Sequence, residues 1–98
     1  AIETSIFAFL RKPRVGGNPM LIVSNMTPMP RTNYLLGVPL AGVWREVLNS
    51  DASEFGGAGW GNLGGVEAAP VRIHNRPHSV CLTLPPLSTI MLEHIPHA

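Results

Sequence analysis

Residues 43–65 read VWREVLNSDASEFGGAGWGNLGG, and the backbone preference changes sharply within this run. Its first part is β-branched, aromatic or apolar with two charged residues in between, which predicts a strand. The remainder is a loop with six glycines, the residue that costs the most backbone entropy to order. A loop of this kind in a small chain is either disordered or packed by a few anchors for a purpose. The candidate anchors are Phe55, Trp60 and Leu63.

The length and composition of the chain favour one small all-β domain over residues 1–98. A chain of this size buries roughly 60–70% of the surface that it exposes when unfolded, so it has room for one modest core. Ten prolines and ten glycines argue against long helices. The apolar content does not fit disorder. We therefore predict an antiparallel β-sandwich of Greek-key type with about seven or eight strands and a long glycine-rich loop.

Eight segments have the apolar content and flanking turn residues of short strands. They are residues 5–12, 20–25, 33–38, 43–48, 66–69, 71–74, 79–84 and 88–93. The first is apolar on both faces, which predicts a central position in its sheet, and its spacing from the second predicts an antiparallel hairpin. In 79–84, alternation places Val80, Leu82 and Leu84 on one buried face. We expect the tail from His94 to be frayed.

The charge pattern and the single cysteine limit the binding partners and the cellular compartment that we predict. The seven basic residues are scattered apart from a group at 11–14, so we predict no nucleic-acid binding. No apolar run approaches the ~20 residues of a membrane helix, and no signal-peptide pattern is visible, so we predict no membrane association. Cys81 is the only cysteine, which excludes an internal disulfide and favours a reduced, cytoplasmic setting.

The residues that could carry catalysis or bind a metal do not form a recognisable site. Asp51 and Glu54 are close in sequence, but turn chemistry explains them in a loop. His74 and His78 are four apart, but a proline between them excludes a helix, and no third ligand is evident. Cys81 has no activating neighbour in sequence. The glycine loop lacks the lysine and hydroxyl residue of a phosphate loop. We predict no catalytic residue, no metal and no cofactor.

Trp60, within the glycine-rich loop, has two interpretations. Its large flat face and single donor suit stacking on a sugar ring. The same face suits packing against a neighbouring domain or within this one, and burial is the commoner fate of an aromatic residue. The residues alone leave both alternatives open.

Several longer runs carry a family resemblance. They are 23–31 (VSNMTPMPR), 42–51 (GVWREVLNSD), the loop from Phe55 to Glu67, residues 74–79 (HNRPHS) and 82–87 (LTLPPL). In this order they resemble the C-terminal β-domain of bacterial glycogen branching enzymes, over roughly residues 5–93. Ser50 stands where the family usually has threonine, and Met26 and Met29 stand where it tends to have phenylalanine and valine. The methionine exchanges are apolar and volume-tolerant, so they leave the expected fold unchanged.

The resemblance implies a parent enzyme with 1,4-α-glucan branching activity, in the α-amylase superfamily. Such enzymes cleave an α-1,4 link with retention through a covalent intermediate on an aspartate and transfer the glucan to a 6-hydroxyl. Their catalytic carboxylates lie on a (β/α)₈ barrel of ~250 residues, which this chain does not contain. No catalytic residue is therefore carried over, and we expect the isolated domain to be inactive.

Two hypotheses follow for the domain itself. In the first, it packs on the catalytic barrel of the same polypeptide, because segments 5–12 and 20–25 are more apolar than one thin core needs. The isolated domain would then expose that face and self-associate. In the second, it binds α-glucan such as glycogen at its surface. Trp60 or Trp44 would stack on the sugar, and Asn62, Asn49 or Arg76 would supply hydrogen bonds.

Overall fold

The computed structural model describes residues 5–13, 16–50, 62 and 64–96. These ranges hold seven β-strands and no α-helix, which confirms the all-β prediction. The strands are β1 (Ile6–Arg11), β2 (Met20–Asn25), β3 (Arg31–Val38), β4 (Gly42–Asn49), β5 (Gly65–Ala68), β6 (His78–Leu84) and β7 (Ser88–Ile95). Most of the predicted glycine-rich loop, with Phe55, Trp60 and Leu63, lies outside the described residues.

The strands form two antiparallel sheets that pack face to face. The large sheet has the order β1-β2-β7-β4-β5, and the small sheet pairs β3 with β6. The chain leaves the large sheet for β3, returns for β4 and β5, crosses again for β6 and ends in β7. Because these crossings bring β2, β7 and β4 together from distant parts of the chain, the architecture is the predicted sandwich.

The core lies between the sheets and is built from residues that alternate along each strand. In β6, Val80, Leu82 and Leu84 are buried as the sequence predicts, while Cys81 between them is exposed. Trp44 from β4 is the largest buried side chain. The other buried residues of this core cluster are Ile6, Leu21, Val23, Val38, Ile90 and Leu92. Every strand from β1 to β7 therefore has one apolar face turned inward.

The structure corrects the predicted position of the first strand. β1 is an edge strand, because only β2 pairs with it. The hairpin between them is antiparallel as predicted, with Phe9 opposite Ile22. Burial on both faces therefore does not explain the apolar character of β1: Ile6 faces the core, whereas Phe7 and Phe9 are 57% and 58% exposed.

The predicted strand at 71–74 is a turn instead. His74 and Asn75 have positive φ angles of 53° and 60°, which lie outside the β region. Ile73 and Arg76 exchange backbone hydrogen bonds of 3.1 and 2.9 Å on either side of them, as in a two-residue hairpin turn. Asparagine tolerates this backbone, so the Asn75 that marks a turn in the sequence lies at its centre.

The chain end is more ordered than the sequence suggests. β7 continues through His94 and Ile95, beyond the predicted end of the strand at residue 93. The His94 ring is buried, and its Nε2 lies 2.8 Å from the carbonyl oxygen of Ala41. Since a carbonyl only accepts, this nitrogen carries the proton. The expected fraying is wrong for these residues because tertiary contacts hold the terminal strand.

Gly37 in β3 lies directly under the 73–76 turn. A Cβ built on this glycine would clash with the carbonyl oxygen of Ile73, a backbone atom that cannot move aside as the end of a flexible side chain could. The Gly37 amide also lies 3.4 Å from Nδ1 of His74. The absence of a side chain at position 37 is therefore what lets the turn dock on the small sheet.

We expect Gly37→Ala to lower the free energy of unfolding by about 2 kcal/mol or more, because the new methyl group displaces the turn. Urea denaturation of the purified chain measures this difference. Gly16→Ala is the control: nothing lies within 4 Å of its Cβ position, so only its φ of +60° is unfavourable. That strain is about 1 kcal/mol, and equal losses at the two positions would contradict the close approach.

Candidate functional site

The outer face of the large sheet carries a row of apolar side chains. Opposed residues in a ladder share a face, and the register aligns Phe9 with Ile22, Ile22 with Met91, and Met91 with Leu48. The four residues cross β1, β2, β7 and β4 in one line. We call Phe7, Phe9, Ile22, Leu48 and Met91 the outer apolar face. A solvated sheet face normally alternates to polar residues, and this one does not.

Polar rows border the outer apolar face on both sides. On one side, Ser24 and Thr89 lie opposite each other, and their hydroxyl oxygens are 2.8 Å apart. On the other side, the register places Glu93 between Met20 and Arg45. Nη2 of Arg45 donates to Oε1 of Glu93 at 2.9 Å in an exposed ion pair. An apolar centre with a polar rim is the usual anatomy of a protein interface.

A β-bulge between Glu46 and Leu48 sets the register that aligns this row. Glu46 pairs with Leu92, but Leu48 rather than Val47 pairs with Met91. The extra residue in β4 therefore turns Leu48 to the outer face beside Met91, while Asn49 is buried opposite Ile90. Bulges that redirect side chains in this way are common next to functional surfaces.

Trp44, one of the predicted sugar-stacking residues, lies entirely in the core with no exposed surface. Its Nε1 donates to the carbonyl oxygen of Leu40 at 3.2 Å. Its ring lies against that of His94, with centroids 5.1 Å apart and planes tilted by 59°. A sugar cannot reach this indole in the folded domain, so the structure gives Trp44 a packing role.

Asn49 and Asn62 are also buried, and they join different parts of the fold. Nδ2 of Asn62 donates to Oε2 of Glu46 at 2.8 Å and to the carbonyl oxygen of Thr83 at 3.1 Å. Its Oδ1 accepts from the Thr83 amide at 2.7 Å. Nδ2 of Asn49 lies 3.4 Å from the other oxygen of the same carboxylate. These amides therefore link β4 in the large sheet to β6 in the small one.

Arg76 is the predicted glucan-binding residue that the described part of the structure leaves accessible. It is half-buried at the end of the 73–76 turn. A cleft of about 260 Å³ separates this turn from β1, and its walls include Phe9, Leu36, His74 and Arg76. Trp60 lies outside the described residues, so its distance from this cleft is not defined. The four predicted residues that the structure describes therefore do not present one common surface, because Trp44, Asn49 and Asn62 are buried.

The outer apolar face is the feature that residue-by-residue motif reading missed. The two-sided apolar character of segments 5–12 and 20–25 signals it, but that signal does not distinguish a central strand from an edge strand with an uncovered face. The strand order decides between them. In the described ranges, no helix has the length and apolar content that crossing a bilayer requires.

Comparison with known proteins adds an independent finding. A family model described as "Alpha amylase, C-terminal all-beta domain" matches residues 2–95. The 1,4-alpha-glucan branching enzyme GlgB of Albidiferax ferrireducens is 81% identical over 98 residues, which is 100% of this chain and 16% of that protein. The enzyme of the same name from Aquifex aeolicus is 52% identical over 92 residues, 94% of this chain and 15% of that protein. The chain thus spans only about 15–16% of the length of these relatives.

We expect Asn62→Ala to lower the free energy of unfolding by about 1–3 kcal/mol, because it leaves the Thr83 amide and carbonyl without their partner. Urea denaturation measures the loss. Asn18→Ala, at a half-buried turn position, is the control and should change stability by less than ~0.5 kcal/mol. An Asn62→Ala variant of unchanged stability that no longer binds glycogen would show instead that this amide serves a ligand.

Proposed function

Because this chain belongs to the alpha-amylase C-terminal all-beta domain family, we propose that it is an accessory domain of a 1,4-α-glucan branching enzyme. It packs on the catalytic barrel of the same polypeptide and stabilises it, while the barrel forms the α-1,6 branches of glycogen. The domain supplies no catalytic residue. We place the enzyme in the cytoplasm, a setting that suits an exposed free thiol at Cys81.

The outer apolar face is the observation that carries this proposal. Phe7 and Phe9 are more than half exposed and Leu48 is 37% exposed, whereas Ile22, which lies beside Phe9 in the same row, is only 9% exposed. Monomeric proteins rarely leave a contiguous apolar patch of this kind in water. The relatives are at least six times longer than the part that this chain matches, so a partner surface within the same polypeptide is available.

The energetics favour a lasting contact over a transient one. Fully burying a phenylalanine, leucine or methionine side chain contributes ~1.5–3 kcal/mol, and this face offers several that are only partly buried. Strand backbone is already ordered, so docking costs little further conformational entropy. The flanking charges of Arg45 and Glu93 satisfy each other at the rim and need no partner in the contact. The face can therefore be covered without burying an unpaired charge.

We expect Phe9→Ser in the full-length polypeptide to lower the midpoint of thermal unfolding by several degrees, because it removes apolar area from the contact. Differential scanning fluorimetry measures the shift, and branching of amylose, followed by loss of iodine stain, measures the accompanying activity. The control is Leu35→Ser, an equally exposed apolar residue on the small sheet. Equal shifts of the thermal midpoint for both variants would contradict the proposal that the outer apolar face packs on the barrel.

The isolated chain provides the opposite readout of the same substitution. There the outer apolar face meets water, so we expect the chain to self-associate, with Phe9→Ser weakening this and Leu35→Ser leaving it unchanged. Sedimentation velocity over a concentration series measures the association. A strictly monomeric isolated chain at high concentration would count against the proposal.

A second function, α-glucan binding, is favoured by the cleft between β1 and the 73–76 turn. Its lining brings the His74 imidazole and the Arg76 guanidinium beside the edge of β1 at Ala8, Phe9 and Leu10. Side-chain donors in a concave site suit the hydroxyls of a sugar. We propose this cleft as the place where glycogen would bind, and Trp60, outside the described residues, stays a separate candidate for stacking on a sugar. Asn49, Asn62 and Trp44 serve the fold in this proposal.

We expect Arg76→Ala and Trp60→Ala each to reduce retention on a glycogen affinity gel, because each removes a sugar contact. The matched control is Arg72→Ala, which removes the same charge at an exposed position of the same segment. Thermal midpoints of all three variants check that they fold. Unchanged retention in both test variants would leave barrel packing as the only function.

A further inference from the structure

A cleft of about 700 Å³ opens at the end of the β1–β2 hairpin, and Ser5 and residues 26–31 line it. Met26 and Met29 are 56% and 64% exposed there, more than any core residue would be. Methionine side chains adapt their shape to a partner surface and are common at such contacts. Pro28 and Pro30 add apolar surface, and Ser5, Thr27 and Arg31 are the polar members of the lining.

The loop that carries these methionines is held in place by buried hydrogen bonds. Nδ2 of Asn25 donates to the carbonyl oxygens of Met29 at 2.9 Å and Pro85 at 3.1 Å. Its Oδ1 accepts from the Thr27 amide at 3.0 Å and from the Thr27 hydroxyl at 2.6 Å. The backbone of this loop is thus fixed before any partner arrives, which lowers the cost of binding.

Among the described residues that line the cleft, Arg31 is the one that is charged, and no described residue pairs with its guanidinium. Its Nε is inaccessible to water and has no acceptor. The structure gives the side chain no ion pair with any described residue. A buried N–H without an acceptor is unfavourable, and in native proteins such groups usually have a partner. Arg31 as a whole is only half-buried, so a carboxylate from outside would accept from its terminal Nη groups rather than from the buried Nε, in the geometry that best matches a planar guanidinium.

The cleft is also continuous with the outer apolar face. The Met26 amide donates to the Ser5 carbonyl oxygen at 2.9 Å, so the β1–β2 ladder runs one residue beyond β2. By strand alternation, Met26 follows Ser24 on the side that carries Phe7. A partner that covers the outer apolar face therefore reaches the cleft by way of Phe7, across the polar pair of Ser24 and Thr89.

We propose that the cleft receives an acidic, apolar segment of the same polypeptide, from the catalytic part that lies outside this chain. An Asp or Glu of that segment accepts from Arg31, and the apolar side chains around it contact Met26 and Met29. This inference rests on the proposed barrel packing and adds detail to it. The outer apolar face supplies the apolar contact area, and Arg31 supplies a single charged contact. Such an anchor fixes the docking register, because a misplaced carboxylate leaves both charges unpaired.

The test uses the full-length polypeptide in two measurements. In the first, Arg31→Met removes the charge at similar volume, and Arg72→Met is the control on an exposed arginine. We expect Arg31→Met to lower the thermal midpoint by at least ~3 °C, because it leaves the partner carboxylate buried without a positive charge. Arg72→Met should leave the midpoint unchanged. In the second, Met29 is replaced by the photo-crosslinker p-benzoylphenylalanine with Arg31 intact, and crosslinked peptides are identified by mass spectrometry.

We expect the crosslink from position 29 to fall on a catalytic-part peptide that contains Asp or Glu, and the same probe at Leu35 to give none there. Crosslinks to a second copy, to residues of this domain alone, or to no peptide would overturn the proposal. So would equal midpoints for Arg31→Met and Arg72→Met. If Phe9→Ser destabilises the polypeptide while Arg31→Met does not, the anchor is wrong and the barrel packing stands. If neither variant destabilises the polypeptide, both the Arg31 anchor and the proposed barrel packing are wrong.

Discussion

The structure depends on one constraint: a chain of this length can build a single core, and its large sheet has two apolar faces. The small sheet of β3 and β6 covers the inner face, and there Trp44, Ile90 and Leu92 become fully buried. The described residues supply no second layer for the outer face, so Phe9, Met91 and Leu48 form an apolar row there around the more buried Ile22. The excess of apolar residues over what one core holds is the physical reason to expect a partner.

Buried asparagines hold the irregular parts of the fold in position. Asn25 joins the 26–31 loop to the segment after β6, and Asn62 joins Glu46 in the large sheet to Thr83 in the small one. An amide side chain both donates and accepts, so one residue satisfies two backbone groups that no ladder reaches. The surfaces proposed for function lie on or beside these fixed segments, and little reordering is needed for them to bind. Sugar specificity, by contrast, would depend on the glycine-rich loop, whose anchor Asn62 is itself part of the scaffold.

Much of the fold follows from the sequence, and the failures have identifiable causes. The hairpin of β1 and β2 and the buried face of β6 are correct because local alternation and turn spacing decide them. The predicted strand at 71–74 is wrong because the turn preference of Asn75 outweighs the strand preference of the β-branched residues before it. The predicted fraying at His94 is wrong because a contact with Ala41, which is distant in sequence, holds this residue in place. For the candidate functional site, the sequence correctly indicates more apolar residues than one core needs. It does not show whether a given tryptophan is buried or exposed. Trp44 is therefore a core residue that reads equally well as a binding residue.

The sequence by itself determined the fold class, the family and the absence of room for a catalytic barrel, because these depend on composition, local pattern and the order of motifs along the chain. Only the tertiary structure decided which side of each strand meets water. Strand order places β1 at an edge, the bulge in β4 turns Leu48 outward, and the pinned loop leaves Arg31 without an acceptor. Those outcomes depend on pairings between residues far apart in sequence, and the free energy of such pairings is not encoded in any local segment.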